Sequence, residues 1–358
     1  MRPTGDPIGE RSSRGRCCGA EPGHRARCEP DGEHPLRTGL AFAAGLIGGL
    51  WLDTARRTHE QPRTYPPRGR FVDAAGVRLH AYDRGGDDPA KRPAVLIHGA
   101  GITADDWDFS GILNRAAADR RCVAFDRPGQ GHSAQPPGAY DPASQARILR
   151  DGARALGLER PILVGQSLGG AVALAWALQY PEEVAGVVFI AGFAYPTPRA
   201  DLIPFMGPAV PVLGPAMSRT VLPPLDRLIL PALIARIFQP DPVPESYRDI
   251  PVDVILHPTR LQAGAAQLGA LIPAMAEQAP RYPDLRVPLT IIAGTDDRIL
   301  TPRDHSIRLH REVPGSTLHL LSGHGHMVHH MRPDMVLDAI ERLDRTAHAE
   351  SGMPLQAT

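Results

Sequence analysis

The segment ILVGQSLGG, residues 162–170, decides the fold of this chain. An apolar run typical of a buried strand leads into Gly-Gln-Ser-Leu-Gly, and an Ala-rich, helix-forming run follows. A tight strand-to-helix turn of this kind lifts the Ser167 hydroxyl clear of the sheet and forces strained backbone angles there. Small residues are needed two positions before and two after the serine, where Gly165 and Gly169 stand. The segment therefore predicts an exposed, nucleophilic serine at the end of a strand.

Strand-length apolar runs recur along the chain, and helix-like stretches separate them. Strands that are apolar along their whole length and alternate with helices predict a parallel sheet covered on both faces. We therefore expect an α/β fold with a mostly parallel central sheet and helices on both faces. The further runs are PAVLIHG (93–99), RCVAFD (121–126), AGVVFIAGF (185–193), PLTIIAG (288–294) and STLHLL (316–321).

The alternation stops between residues 195 and 285. This region has many prolines and apolar helical pieces such as LDRLILPALIARIF, but no clear strand. We expect an inserted helical cap here, lying over one edge of the sheet. The predicted core then comprises 70–194 and 286–347, followed by a tail over 348–358.

The first 69 residues lie outside this pattern. The composition of 1–37 predicts a disordered tail. The uncharged run 40–52 would span about 20 Å as a helix, whereas a bilayer core needs about 30 Å. We expect 38–54 to be a membrane anchor or interfacial helix; the alternatives are a signal sequence, or a buried helix in a cytoplasmic protein. A linker is predicted over 55–69.

Charge and cysteine usage exclude several classes of partner. The 358 residues include 39 basic and 39 acidic side chains, so the overall charge gives no support for a nucleic-acid partner. The four cysteines do not suggest a disulfide framework. Cys17, Cys18 and Cys28 lack the paired spacing of a zinc site. We expect neither a metal nor a cofactor.

Two backbone N–H groups are predicted to stabilise negative charge beside Ser167. Leu168 begins a helix, so its N–H has no partner within that helix and points toward the serine. The second donor is predicted in VLIHGAG (95–101), where small residues follow a buried strand, and Ala100 is the candidate. His98 is predicted to hold this loop in a structural role.

A nucleophilic serine needs a base and an orienting carboxylate, each at a strand end. IIAGTDDRIL places Asp296 and Asp297 just past a strand, and spacing does not separate the two. LSGHGHMVHH follows the last predicted strand and offers several histidines as the base; surface or metal-binding positions are the alternative for each. The candidates are His324, His326, His329 and His330.

Taken together, these motifs resemble the α/β-hydrolase fold superfamily, in its branch with a helical cap. The resemblance implies Ser167 as nucleophile, Asp297 as acid and His326 as base. It also implies a structural turn around Asp126 and His132, and Trp107 either lines the pocket or only packs. The motifs, in the order of the family, are HGAG (98–101), FDRPGQGHS (125–133), GQSLGG (165–170), GTDDRIL (294–300) and GHMVHH (325–330).

The resemblance implies a serine hydrolase that acts by acyl transfer, and the apolar cap favours a hydrophobic carboxylic ester as substrate. Serine at position 167 speaks against haloalkane dehalogenases and epoxide hydrolases of this fold, which use a carboxylate nucleophile. Carbon–carbon bond hydrolases, lactonases, cofactor-free haloperoxidases and acyltransferases share the serine triad and stay open. A ligand-binding protein without turnover is the alternative from a different class.

Overall fold

A single sheet of eight strands organises the computed structural model, which describes residues 35–86 and 88–350. Its central strands are buried along their whole length, as their continuous apolar sequences require. The strands are β1 (Arg70–Ala74), β2 (Val77–Arg84), β3 (Ala94–Ile97), β4 (Cys122–Phe125), β5 (Ile162–Gln166), β6 (Gly186–Ile190), β7 (Leu289–Gly294) and β8 (Thr317–Leu321).

The sheet is mostly parallel. Its strand order is β1-β2-β4-β3-β5-β6-β7-β8; β2 runs antiparallel to both of its neighbours, and every other pair is parallel. The register pairs Ile97 with Gly165, and Gly165 with Phe189. The carboxyl ends of β3, β5, β6 and β7 therefore lie side by side at one edge, which is where α/β proteins place their chemistry.

Helices cover both faces of the sheet. The α-helices of the described residues are α1 (Pro35–Thr64), α2 (Asp105–Phe109), α3 (Ile112–Ala116), α4 (Pro142–Ala155), α5 (Leu168–Gln179), α6 (Leu213–Arg219), α7 (Leu222–Phe238), α8 (Val252–Ile255), α9 (Pro258–Gln278), α10 (Ser306–Glu312), α11 (Val328–Met331) and α12 (Pro333–Glu350).

Alternate residues of each strand enter two separate cores. On β5, Leu163 packs into one core with α4 and α5, represented by Leu149 and Trp176. Ile162 enters the other core with α3 and α12, represented by Ile340. This division follows from the two-residue period of a strand. The predicted fold class is confirmed.

The chain between β6 and β7, residues 191–288, contains helices and no strand; we call it the helical insertion. It exposes large apolar side chains, with Val212 84% and Leu228 78% exposed. Its longest helix, α9, packs against the 3₁₀ helix Ala200–Ala209 and against α6.

Helix α1 extends well beyond the predicted apolar run. The stretch predicted as a linker from residue 55 is helical as far as Thr64, where Pro62 stands in the last turn. Arg57 pairs with Asp53, and Arg56 pairs with Glu60; these i,i+4 pairs support a helix. The chain divides into two units, 1–45 and 46–358, so α1 contributes to both.

The two predicted tails fall largely outside the described residues. Residues 1–34 and 351–358 are not described, and they include most of the predicted segment 1–37 and of 348–358. Helix α12 continues to Glu350, three residues beyond the predicted end of the core.

Candidate active site

Ser167 sits at a strained turn between β5 and α5. Its φ and ψ angles are 53° and −119°, a region that non-glycine residues rarely adopt. A Cβ on Gly165 would lie 2.3 Å from the carbonyl oxygen of Gly169, and one on Gly169 would lie 2.1 Å from that of Ile97. Both glycines are therefore required by close backbone approach, as the sequence indicates.

Asp297 and His326 come together across the ends of β7 and β8. His326 Nδ1 donates to Asp297 Oδ2 at 2.8 Å, and both side chains are buried. Asp297 Oδ1 accepts from the backbone N–H groups of Ile299 and Leu300 at 2.8 and 2.9 Å. Because both carboxylate oxygens are held, Asp297 fixes the imidazole with Nδ1 protonated and Nε2 free to accept a proton.

Ser167 and His326 line the same small cavity. His326 Nε2 lies 3.4 Å from the amide Nε2 of Gln166, the residue before the serine. The Ser167 hydroxyl forms no hydrogen bond with any residue in the described part of the chain. Hydrogen bonds between a nucleophile and its base are often long before substrate binds. The second nitrogen of the imidazole therefore faces the Gln166 amide, in the cavity that Ser167 also lines.

Ala100 and Leu168 line this cavity beside Ser167. Leu168 is the first residue of α5, so its N–H has no partner within the helix. The carbonyl oxygen of Gly99 belongs to the peptide unit that carries the Ala100 N–H. That oxygen accepts from His98 Nδ1 at 2.8 Å and from Arg127 Nη2 at 2.9 Å. Two donors thus fix and polarise the peptide that offers the Ala100 N–H.

The tautomer of His98 follows from its second contact. Its Nε2 accepts from the backbone N–H of Arg127 at 3.0 Å, so the proton is on Nδ1. Burial lowers the pKa of His98 to about 4, which keeps the ring neutral. His98 therefore holds the loop in the structural role that the sequence indicates.

Arg127 is fully buried beneath the loop. Its guanidinium also donates to the carbonyl oxygen of His98 at 2.9 Å and to the side-chain oxygens of Gln145 and Gln267 at 2.7 and 2.8 Å. Burial lowers its pKa to about 9. Gln267 belongs to α9, so Arg127 connects the helical insertion to the loop that carries Ala100.

The neighbouring candidates have other environments. Asp296 is exposed, whereas Asp297 is buried. His324 Nδ1 donates to Asp241 of the helical insertion at 3.0 Å. Trp107 is fully buried and packs on His329, with ring centroids 5.4 Å apart, and it does not contribute to the cavity beside Ser167. Of the two roles proposed for Trp107, packing is the one that this geometry supports.

A second buried carboxylate–histidine cluster lies on α2 and α11. Asp106 accepts from His329 Nε2 at 2.9 Å and from His330 Nε2 at 2.8 Å. These three groups are close enough to hold a metal ion. However, His329 Nδ1 is buried with no partner among the described residues, whereas a metal-bound histidine ordinarily donates its second nitrogen. We therefore interpret the cluster as a clamp that holds α11, just after His326, against α2.

Sequence reasoning missed this clamp and the role of Arg127. Arg127 stands inside FDRPGQGHS, a motif that the sequence assigns to a structural turn. The turn itself is held by Asp126, which accepts from His80 Nδ1 and from the backbone N–H of His132, both at 2.8 Å. The only sequence signal for the role of Arg127 was thus its place next to a buried turn. Its hydrogen-bond partners lie far away in the chain, so the sequence did not indicate them.

The cavity beside Ser167 has a volume of about 130 Å³ and adjoins a larger one of about 440 Å³. Ala100, Ile102, Leu168 and Leu268 line both. The larger cavity lies between the core and the helical insertion, and most of its lining residues are apolar.

A model of the alpha/beta hydrolase fold family matches residues 93–333. The chain belongs to this family. Among its relatives, an uncharacterized protein of Mycobacterium tuberculosis is 31% identical over 80% of this chain and 84% of its own. A 2-hydroxy-6-oxo-2,4-heptadienoate hydrolase of Pseudomonas putida is 28% identical over 73% of this chain and 90% of its own.

Solved structures of this α/β-hydrolase family have the same architecture. The enol-lactonase from Burkholderia xenovorans superposes with a TM-score of 0.63 and 21% sequence identity. The match covers 76% of this chain and 99% of that one. At this identity the likeness shows the fold, and it leaves the substrate open.

Proposed function

We propose that this α/β-hydrolase is a serine hydrolase that cleaves hydrophobic carboxylic esters by acyl transfer. The observation that carries the proposal is the buried Asp297–His326 pair, whose free imidazole nitrogen shares a cavity with the strained Ser167. The buried pairs His80–Asp126 and His329–Asp106 also join a histidine to a carboxylate, but neither of those histidines lines this cavity.

The proposed reaction proceeds in two halves. Ser167 Oγ attacks the ester carbonyl carbon while His326 Nε2 takes the hydroxyl proton, and Asp297 stabilises the resulting imidazolium. The N–H groups of Ala100 and Leu168 bind the oxyanion. The alcohol leaves with the proton from His326. Water, deprotonated by the same histidine, then hydrolyses the acyl-enzyme and releases the acid.

The wall of the site supports an apolar acyl group. Phe193, Leu271, Leu300 and Met327 surround Ser167 in the small cavity. Burial of apolar substrate surface against such residues contributes roughly 25 cal/mol per Å². The adjoining large cavity supports a long chain over a short one.

Hydrolysis of a carbon–carbon bond is the second candidate, because the Pseudomonas putida relative is named for a 6-oxo compound with a carboxylate. Such a substrate brings an anion close to the reacting ketone. Arg199 lines the catalytic cavity, but it is bound by two hydrogen bonds, 2.8 and 2.7 Å long, to Asp201. Because this guanidinium is already paired, the catalytic cavity favours an ester that has no anion next to the reacting carbonyl.

We also propose that α1 attaches the enzyme to a membrane. Residues Arg37–Thr64 form a helix long and apolar enough to span a bilayer. Its apolar side chains are solvent-exposed, with Phe42 76% and Leu40 68% exposed. Contiguous apolar surface of this kind indicates a membrane or protein partner.

The test uses 4-nitrophenyl esters of increasing acyl length, alongside the 6-oxo dienoate of the relative's name. We expect turnover of the esters, with kcat/KM rising with chain length, and labelling of the protein by a fluorophosphonate probe. Ser167→Ala should abolish both, whereas Ser144→Ala, a half-exposed serine on α4, should preserve both. Cleavage of the dienoate without ester turnover would establish the carbon–carbon hydrolase instead.

A further inference from the structure

The large cavity runs along one face of α9 away from the catalytic residues. Leu271 lines the cavity that holds Ser167 and His326, Leu268 lines both cavities, and Arg260 lines only the larger one. Eleven residues separate Leu271 from Arg260, which corresponds to about 16 Å along the helix at ~1.5 Å per residue. The stretch of α9 from Arg260 to Leu271 therefore runs along both cavities.

Two hydrogen-bond donors, the Gln130 amide and the Arg260 guanidinium, lie at the end of the large cavity away from Ser167. Gln130 is 5% exposed, and its amide Nε2 has no hydrogen-bond partner within 35–86 and 88–350. A Cβ on Gly264 would lie 3.6 Å from that nitrogen, and Gly264 is one helical turn from Arg260. Gln130, Gly264 and Arg260 all line the large cavity. The amide and the guanidinium thus occupy the same region of its wall.

Arg260 carries a charge that Asp126 attracts without forming an ion pair with it. Its Nη1 donates to the carbonyl oxygen of Ser133 at 3.1 Å, and no carboxylate of the described chain forms an ion pair with it. Burial lowers the pKa of Arg260, and the attraction of Asp126 offsets this effect only in part. A partly buried charge of this kind destabilises the protein unless an anionic group, such as one on a ligand, pairs with it.

The other charged groups of the cavity are already engaged or have the opposite sign. Arg199 is paired with Asp201, and Arg236 lies close enough to Asp201 to lower its pKa further. Arg127 donates four side-chain hydrogen bonds to protein oxygens. Asp226 is a carboxyl group whose pKa burial raises to about 6. Arg260, on the first turn of α9, is the cation of this wall that lies beside the unpartnered Gln130 amide.

We propose that the large cavity binds an acyl chain whose far end carries an anionic group, held by Arg260 and Gln130. The proposal rests on the ester hydrolysis at Ser167 and specifies its substrate class. A planar guanidinium binds a carboxylate or phosphate with two parallel hydrogen bonds, and the Gln130 amide supplies a third donor. An extended chain advances about 1.3 Å per bond, so 16 Å corresponds to about twelve carbons.

The experiment compares two esters of equal length: the mono-4-nitrophenyl ester of dodecanedioic acid and 4-nitrophenyl dodecanoate. We expect wild-type kcat/KM to be about tenfold or more higher for the ester with the free carboxylate, since charged hydrogen bonds are among the strong ones. The six-carbon pair should show no such preference, because its carboxylate does not reach Arg260.

Arg260→Gln should lose the preference while it hydrolyses the neutral dodecanoate at close to the wild-type rate. Arg236→Gln removes another guanidinium of the same cavity and should keep the preference. A twelve-carbon ester that ends in phosphate is the third probe; if it outperforms the carboxylate, phosphate is the anion. Equal kcat/KM for the two twelve-carbon esters, or a preference that survives Arg260→Gln, would overturn the proposal.

Binding separates this proposal from the catalytic one. Calorimetry with Ser167→Ala measures the affinity for both twelve-carbon esters without turnover. Tighter binding of the anionic ester that disappears in Ser167→Ala/Arg260→Gln supports the anion site even if the wild type hydrolyses neither ester. Equal affinities would refute the anion site whether or not ester hydrolysis is observed.

Discussion

The edge of the sheet and the helical insertion differ in the kind of side chain that each presents. At the edge, polar atoms are tightly held: Asp297 accepts three hydrogen bonds, and the Gly99 carbonyl accepts two. In the insertion, large apolar side chains such as Val212 and Leu228 face outward, and most of the cavity wall is apolar. The difference suggests a division of labour: the proposed reaction depends on groups held by the core, and the proposed choice of substrate depends on the apolar wall of the insertion.

Loss of the orienting carboxylate should have the largest effect. Asp297→Asn leaves the shape of the site but no longer favours the Nδ1–H tautomer of His326, so kcat should fall by about 10⁴. Asp296→Asn alters an exposed neighbour and should change kcat by less than about threefold. Steady-state kinetics on a 4-nitrophenyl ester measures kcat for both variants. Equal losses of kcat would show that Asp297 is not the orienting carboxylate.

Loosening the support of the Ala100 peptide should have a smaller effect. Arg127→Gln removes one of the two donors to the Gly99 carbonyl. We expect kcat to fall by about 10–100-fold with KM nearly unchanged, a loss no larger than that of an oxyanion donor itself. Arg150→Gln, at a pair with Glu183 away from the site, is the control. Circular dichroism checks the fold. An unchanged kcat in folded Arg127→Gln would show that the loop carrying Ala100 keeps its conformation without Arg127.

Membrane attachment should affect activity least. Replacing Leu40, Phe42, Leu46 and Ile47 together by serine removes exposed apolar surface from α1. We expect the variant to leave the membrane fraction on centrifugation while its kcat/KM on a soluble short-chain ester stays within about twofold. Wild-type protein found entirely in the supernatant would refute the attachment.

The turn around Ser167 was predictable because it is a local motif at a strand end. GQSLGG carries its own structural requirement in Gly165 and Gly169, and those glycines meet backbone oxygens as expected. The contacts of Arg127 and the Asp106–His329 pair were not predictable, because they join segments far apart in the chain. No local spacing encodes a hydrogen bond from residue 127 to residue 267.

The N-terminal region shows a different limit. The apolar run 40–52 predicted about 20 Å of helix, shorter than a bilayer core, and the charged residues after it were interpreted as a linker. In the structure, ion pairs such as Arg57–Asp53 continue the helix to Thr64, which makes Arg37–Thr64 about 42 Å long at ~1.5 Å per residue. Apolar content alone therefore underestimated the length of the element.

Gln267 joins the wall of the large cavity to Arg127, the residue beneath the loop that carries Ala100. This residue accepts a hydrogen bond from Arg127 within the same helix face that Leu268 and Gly264 present to the cavity. An acyl chain bound against α9, as we propose, would therefore contact the helix that holds Arg127, whose guanidinium donates to the Gly99 carbonyl. Binding energy from remote parts of a substrate can in this way stabilise the transition state of the chemical step. Esters with longer acyl chains should therefore show a higher kcat as well as a lower KM.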